Sequence, residues 1–287
     1  GFINENINLE PNTYILAYAG SNTESNKAQP LSRRLILKGK YTILTPGQPG
    51  VNFSRSIKNK NFRVEIAAKL QCLDKTFWEN SGLIVRSNAN NADSSEIISA
   101  VKLQIDLCKR FFDRKFAKPE FLVNPFKAKD YALIEWSFQP PVSVIEEIDC
   151  FDRFGVWEQI SKYLLDKKVL SNGGFMMIES TSAFVAVDIN TGSDTSITAA
   201  YKTNLLAMKE LPRELQIRGL GGKIVIEFAP LAKRHRLRME SELKIGFDKT
   251  KIRTNIVGWT KTGNLEIQRK KEKQPLQYIL EDDPRFT

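Results

Sequence analysis

The sequence predicts a mixed α/β protein made of more than one compact unit, on three observations. The chain has 287 residues, more than one typical domain, and its 41% hydrophobic content is enough for a core. Between Gly173 and Pro230, two short β-branched runs, AFVAVDIN and KIVIEF, flank a stretch with helical spacing. Strand-like and helical segments also succeed one another upstream, from Leu31 to about Phe116.

Residues 1 to 30 mix strand-like NTYILAYAG with turn-rich GSNTESNKAQP, consistent with part of a small β-barrel. In the second unit LSRRLILKGKYTIL reads as a strand region, and SRSIKNKNFRVEIAAKLQCL opens basic and becomes an amphipathic helix. SGLIVRS follows as a strand and NANN as a polar loop. A helix then opens at Asp93, with Glu96 three residues on in the spacing of a capping box. It runs through Ile97, Val101, Ile105, Cys108 and Phe112, which makes Cys108 a core thiol rather than a reactive one. Residues from about 117 to 165 say least. They offer two short strands, a Pro-Pro break and a closing helix, with Glu146, Glu147 and Asp149 as a solvated face.

In the central unit apolar residues fall at Ile197, Tyr201, Leu205, Met208, Leu211 and Leu215, predicting a helix between Ser193 and Gly219. A strand, helix, strand crossover makes the two strands parallel, so their C-terminal ends share one edge of a sheet. Asp188 and Glu227, near those ends, are expected to face one crevice. Two unpaired carboxylates brought together repel unless one is protonated or a cation lies between them. Mg²⁺ suits such a pair, because it takes one or two carboxylates and keeps several waters. Asn190, two residues beyond Asp188, projects to the same side and can orient a carboxylate, water or phosphate oxygen. Strand-end acids also cap solvated rims, and on spacing alone that is the plainer reading.

After this unit AKRHRLRMESELKIGF reads as a helix whose start carries Lys233, Arg234, Arg236 and Arg238. Cations there oppose the macrodipole, at about 0.3 to 1 kcal/mol each, and an anionic partner removes the conflict. RNA backbone is one such partner; a solvated basic face is the alternative. Residues 233 to 273 hold thirteen Lys or Arg against five Asp or Glu, a net +8 of the chain's +10, which suggests a polyanion surface. The tail from Gln274 to Thr287 is expected to be loosely ordered or packed on a neighbouring surface.

Cys72, Cys108 and Cys150 are isolated and odd in number, which points away from a disulfide framework or zinc site and fits a reducing cytoplasm. His235 is the only histidine, so chemistry is expected to rest on carboxylates and metal. No apolar run approaches a membrane span, and GFINENINL lacks the features of a signal peptide.

The segments FMMIESTSAFVAVDINTG, KTNLLAMKELPRELQIRGLGGKIVIEFAPL and VGWTKTGNLEIQRKK together resemble the catalytic core of the ribonuclease E/G family, endoribonucleases of bacterial rRNA processing and mRNA decay. The resemblance implies a Mg²⁺-dependent endoribonuclease of single-stranded RNA, with Asp188 and Glu227 at the metal positions and Asn190 at the accompanying polar position. It also implies a domain order: the end of an OB-type RNA-binding barrel (1–30), a 5′-sensor-like α/β domain (31–118), a shortened RNase H-like scaffold (119–168), a DNase I-like catalytic domain (169–273) and the tail (274–287). Phe2 and Lys27 match the barrel's RNA contacts; without that match core packing explains Phe2 equally well. Gly1 is then not the natural start, and the barrel lacks its first strands.

Arg86 and Ser87 match the Arg-Thr pair of the family's 5′-monophosphate pocket, with Ser keeping the hydroxyl. Arg253, counted back from GNLE, falls on its second arginine. Taken alone, an Arg after a strand is ordinarily a surface residue. Two departures stand out. The family's second metal ligand is usually Asp, and the extra methylene of Glu227 moves the carboxylate by roughly an ångström, a shift that can cost about a hundredfold in rate. The paired-cysteine zinc link of longer members is missing, which closes the zinc-linked tetramer and leaves a homodimer open. An RNA-binding homologue with weak or no cleavage is the alternative expectation.

Overall fold

The computed structural model describes residues 1–3, 10–20, 28–112, 118–123, 127–135, 143–250 and 252–286; Lys27 lies outside them. The chain divides into two compact units, residues 1–20 with 29–144, and residues 21–28 with 145–287.

In the first unit β1 (Phe2–Ile3), β2 (Tyr18–Ala19) and β3 (Pro30–Ser32) form a small sheet of order β1-β3-β2, with β1 parallel and β2 antiparallel to β3. Then come β4 (Leu37–Lys38), β5 (Thr42–Pro46), β6 (Gly50–Phe53), α1 (Lys60–Gln71), α2 (Lys75–Asn80) and β7 (Ser81–Val85). The four strands order as β4-β5-β7-β6, and β5 and β7, buried along most of their length, take the centre. Helix starts follow the caps: Asn59 accepts from the amide of Phe62, and Asp74 from that of Phe77. α3 (Ser94–Phe112) buries Ile97, Val101, Ile105 and Cys108 against Leu44, Ile66, Leu83 and Val85.

Three local expectations change here. NANN is not an open loop, because Ser87–Asn91 form a 3₁₀ turn between β7 and α3. Glu96 is claimed from outside its helix, its Oε2 accepting the Tyr41 hydroxyl at 2.7 Å. Between 117 and 165 the described residues hold α4 (Ala128–Glu135) and no strand where two were expected, then α5 (Cys150–Arg153) and α6 (Val156–Leu164), the last being the expected closing helix. A short apolar run such as YALI does not distinguish strand from helix by itself. Glu146, Glu147 and Asp149 are exposed, as expected.

The second unit adds β8 (Lys167–Val169), β9 (Phe175–Ser180), β10 (Val185–Asn190), α7 (Ile197–Ile217), β11 (Gly222–Glu227), α8 (Arg236–Thr250), β12 (Thr254–Trp259), β13 (Leu265–Arg269) and α9 (Leu276–Ile279). Its six strands order as β12-β13-β11-β10-β9-β8, and β10 and β11 are parallel, as the crossover predicts. Val185, Val187, Ile189, Ile224 and Ile226 point to one face, where they join Met208, Leu211 and Leu215 of α7 and Met239 and Leu243 of α8. Each such side chain contributes about 1.5 to 3 kcal/mol on burial.

The helix starts at Ile197, four residues after the predicted boundary, because Ser196 caps the amide of Ala199. It ends where predicted. Gly219 takes φ +67°, and the amide of Leu220 reaches back to Leu215 O at 2.9 Å, closing the last turn. Pro212 sits inside α7 against Gly246 of α8, where an added Cβ would lie 2.5 Å from Pro212 Cγ. The tail packs rather than hanging free. The amide of Leu276 bonds Arg218 O at 2.9 Å, and Arg285 lies 3.7 Å over the Trp157 ring. No helix among the described residues is long and apolar enough to cross a membrane.

Candidate active site

Alternation along β10 puts Val185, Val187 and Ile189 in the core, so Ala186, Asp188 and Asn190 take the other face. On β11 Ile224 and Ile226 are buried, and Lys223 and Glu227 are exposed. The parallel register pairs Asp188 directly with Glu227, and register partners in a sheet share a face. The two acids therefore stand side by side, on the open face near the strand ends rather than deep in a crevice. Asn190 donates from Nδ2 to Asp188 Oδ2 at 2.7 Å, fixing that carboxylate and leaving its own carbonyl oxygen as an acceptor.

Among the described residues neither carboxylate has a cationic partner, and no group of three or more His, Cys, Asp or Glu is placed to hold a metal. Two adjacent acids and an amide suit an oxygen-preferring cation that keeps most of its water, which is how Mg²⁺ binds; they do not suit the four-ligand cage of structural zinc.

The same row continues across the sheet. Met177 of β9 is the register partner of Asp188, and Lys167 of β8 is the partner of Met177. In the next row Asn190 pairs with Phe175, and Phe175 with Val169.

Residues distant in sequence hold these strand ends. Gly174 lets the start of β9 approach β10, since a Cβ there would lie 2.8 Å from Asn190 O. Asn172 donates to Thr203 Oγ1 at 2.7 Å, tying the preceding turn to α7. Asn204, fully buried, donates to Ala229 O at 2.9 Å, two residues beyond Glu227. Its sequence signal is a polar residue interrupting the apolar stripe between Ala200 and Met208.

The basic stretch is partly committed inside the fold. Lys233, Arg234 and His235 form a 3₁₀ turn, so the helix proper opens at Arg236. Lys233 and Arg234 are exposed, with Arg234 Nε 3.2 Å from His235 Nε2. Arg236 stacks 4.6 Å over the Trp259 ring, and Arg238 pairs with Glu242 at 2.5 Å. Arg269 is 1% exposed, reaching Thr254 Oγ1 at 3.1 Å, and burial pushes its guanidinium below its usual range. Packing thus claims part of the surplus read as a polyanion surface.

Phe2 is 45% exposed on β1, so it is not a core side chain. Arg86 donates from Nη1 to Gly39 O at 2.8 Å and to Ile134 O at 3.4 Å, which anchors its guanidinium. Ser87 lines a polar recess with Lys40, Asn88 and Asn91, but also with Asp93 and Glu96. Arg253, exposed just before β12, belongs to the second unit, while Arg86 and Ser87 belong to the first.

Residues 36–136 and 126–272 match the model of the ribonuclease E/G family. The chain is 26% identical to ribonuclease G of Haemophilus influenzae over 90% of its own length and 59% of the relative's. It is 24% identical to ribonuclease G of Escherichia coli K12 over 88% and 59%, and 25% identical to a ribonuclease E/G-like protein of Pyropia yezoensis over 91% and 58%. The chain thus spans just under three fifths of the length of these relatives.

Proposed function

The chain belongs to the ribonuclease E/G family, and from that premise we propose that it is a Mg²⁺-dependent endoribonuclease acting on single-stranded RNA. The observation that carries this reading is the register pairing of Asp188 with Glu227 on one exposed face. Asp188 and Glu227 hold the metal, and Asn190 orients Asp188 and presents its carbonyl to a water or ligand. Mg²⁺, when bound, supplies charge neutralisation at the phosphodiester and activation of a water. Among the described residues neither acid is in an ion pair, so no salt bridge has to break when the site is filled.

Lys233 and Arg234 extend the site as phosphate contacts, since they keep their heads in solvent. Arg236 and Arg238 contribute positive field from fixed positions. Arg86, Ser87 and Arg253 are proposed as contacts to an RNA 5′-monophosphate, each to be tested by the ratio of cleavage rates on 5′-monophosphorylated and 5′-hydroxyl oligomers. Phe2 and Lys27 are proposed as further RNA contacts. The test of the central claim is cleavage of a 5′-monophosphorylated single-stranded oligomer with and without Mg²⁺. Wild type should cut only with the metal, and Asp188→Ala should not cut. Equal cleavage by the two proteins removes the assignment.

A second reading is favoured by Glu227 standing where the family usually has Asp: an RNA-binding homologue that cuts weakly. Glu227→Asp separates the two. A large rise in cleavage with unchanged RNA affinity supports the second reading, and an equal or lower rate supports the first.

A further inference from the structure

Lys167 and Lys168 are adjacent in sequence but face opposite ways. Lys168 points to the helix side of the sheet and pairs at 2.9 Å with Glu214 of α7, a carboxylate almost wholly buried and also held by Arg218 at 3.1 Å. That accounts for Lys168 structurally. Lys167 is exposed on the other face, with no carboxylate partner among the described residues. Its ammonium lies 4.1 Å from the centroid of the Phe175 ring. A cation held over an aromatic face keeps its charge and gains a fixed address.

That address is defined by the strand register. Lys167, Met177, Asp188 and Glu227 form one row across four neighbouring strands, and Val169, Phe175 and Asn190 form the next. Strands lie about 4.8 Å apart, so the Lys167 backbone is roughly 10 Å from that of Asp188, and Phe175 is one strand from Asn190. The acids of this face lie toward the opposite strand ends: Glu179 is the partner of Ala186, and Glu266 of Val225. Those two acids, with Lys223 beyond them on β11, lie on one side of the carboxylate pair, while a cation, an aromatic ring and exposed Val169 lie on the other.

We infer that Lys167 and Phe175 form a nucleotide subsite beside the carboxylate pair, Lys167 contacting a phosphate and Phe175 supporting the neighbouring base or ribose of a single RNA strand running toward β8. This rests on the endoribonuclease reading and adds a direction for the strand across the sheet. An aromatic platform beside a lysine suits single-stranded nucleic acid of any sequence, because every base has a flat face and every nucleotide a phosphate.

The test is fluorescence anisotropy with a short unstructured RNA oligomer, in EDTA so that nothing is cut, across a salt titration. Lys167→Ala should weaken binding about tenfold and lower the slope of log affinity against log salt by about one. Lys167→Arg should restore both. Phe175→Leu should weaken binding, and Phe175→Tyr should not. Lys209→Ala, on the exposed side of α7, serves as the control and should bind as wild type does. A thermal melt of each variant checks folding, and a merely structural role would not change the salt slope.

Cleavage by Asp188→Ala, run alongside, separates this inference from the reading beneath it. If Asp188→Ala loses cleavage while Lys167→Ala keeps wild-type affinity and slope, the subsite is wrong and the metal site stands. If Asp188→Ala still cleaves while Lys167→Ala binds weakly with a reduced slope, the metal site is wrong and the RNA surface stands.

Discussion

Replacing Asp188 by Asn separates what the carboxylate does for the fold from what it does for the metal. The side chain keeps its size, and an amide can still exchange a hydrogen bond with Asn190, so only the charge is lost. Asp188 and Glu227 are direct register partners on parallel strands, a backbone spacing of about 4.8 Å. Two like charges at about that distance repel by about 1 kcal/mol in a water-like dielectric and by about 3 kcal/mol at an effective dielectric near 20. Both side chains are exposed, so the lower figure applies.

Without Mg²⁺ the Asn variant should therefore be as stable as wild type, or up to about 1 kcal/mol more stable. With Mg²⁺ the order reverses. At a concentration ten times its dissociation constant, the ion stabilises wild type by about 1.4 kcal/mol, a rise of a few degrees in melting temperature. The variant, with one carboxylate left, should show little of that rise and should lose about a hundredfold or more in cleavage. The assay is a thermal melt by circular dichroism at matched ionic strength, with Ca²⁺-free Mg²⁺ and with EDTA. An equal Mg²⁺-induced shift in both proteins would refute a metal held between these two acids.

Other consequences lie away from the site. Gly246→Ala adds a Cβ 2.5 Å from Pro212 Cγ, and overpacking of about 1 to 3 kcal/mol should outweigh the roughly 1 kcal/mol that Ala brings in helix propensity; an unchanged melting temperature would show that α7 and α8 yield at this point. Asp74 is held near pKa 2 by its pairing with Lys109, then by the amide of Phe77 and the hydroxyl of Thr76. Its folded pKa lies below the unfolded value, so its stabilisation is present above about pH 4 and lost as pH falls toward 2. Asp74→Asn keeps an N-cap side chain but should flatten the acid-unfolding profile in that window, and superimposable profiles would count against the linkage. Burial pushes the Cys108 thiol up to about 11, so a thiol reagent should label exposed Cys72 promptly and Cys108 only on unfolding, which timed mass spectrometry can follow.

The parts of the fold legible in the sequence are those set by local pattern. The runs around Asp188 and Glu227 are β-branched and bounded by turns, and the crossover between them fixes their parallel pairing, so both acids could be placed near one sheet edge. The exposed face itself needed the alternation of buried Val185, Val187 and Ile189 with Asp188, a pattern present in the letters VAVDIN. What stayed hidden depends on partners far along the chain. Arg269 reads as one more cation in a basic stretch until Thr254 and Phe247 enclose it. Lys167 and Lys168 look equivalent until the sheet sends one to Glu214 and the other to Phe175. Asn204 is an unremarked polar residue until its amide meets Ala229 O. A run as short as YALI carries no decisive period, and only its surroundings make it part of α4.

The parallel alignment of β10 and β11 also makes assembly of the acidic pair an all-or-none event. Sliding either ribbon by a single position would turn its acid toward the helices and bring an isoleucine into the solvent. A collapsed chain with helices formed but strands unregistered would thus own every residue of the centre and none of its geometry. Lesions deep beneath the sheet, such as a hollowed Met208 or Leu211, can then silence the protein without touching a single group that meets the substrate.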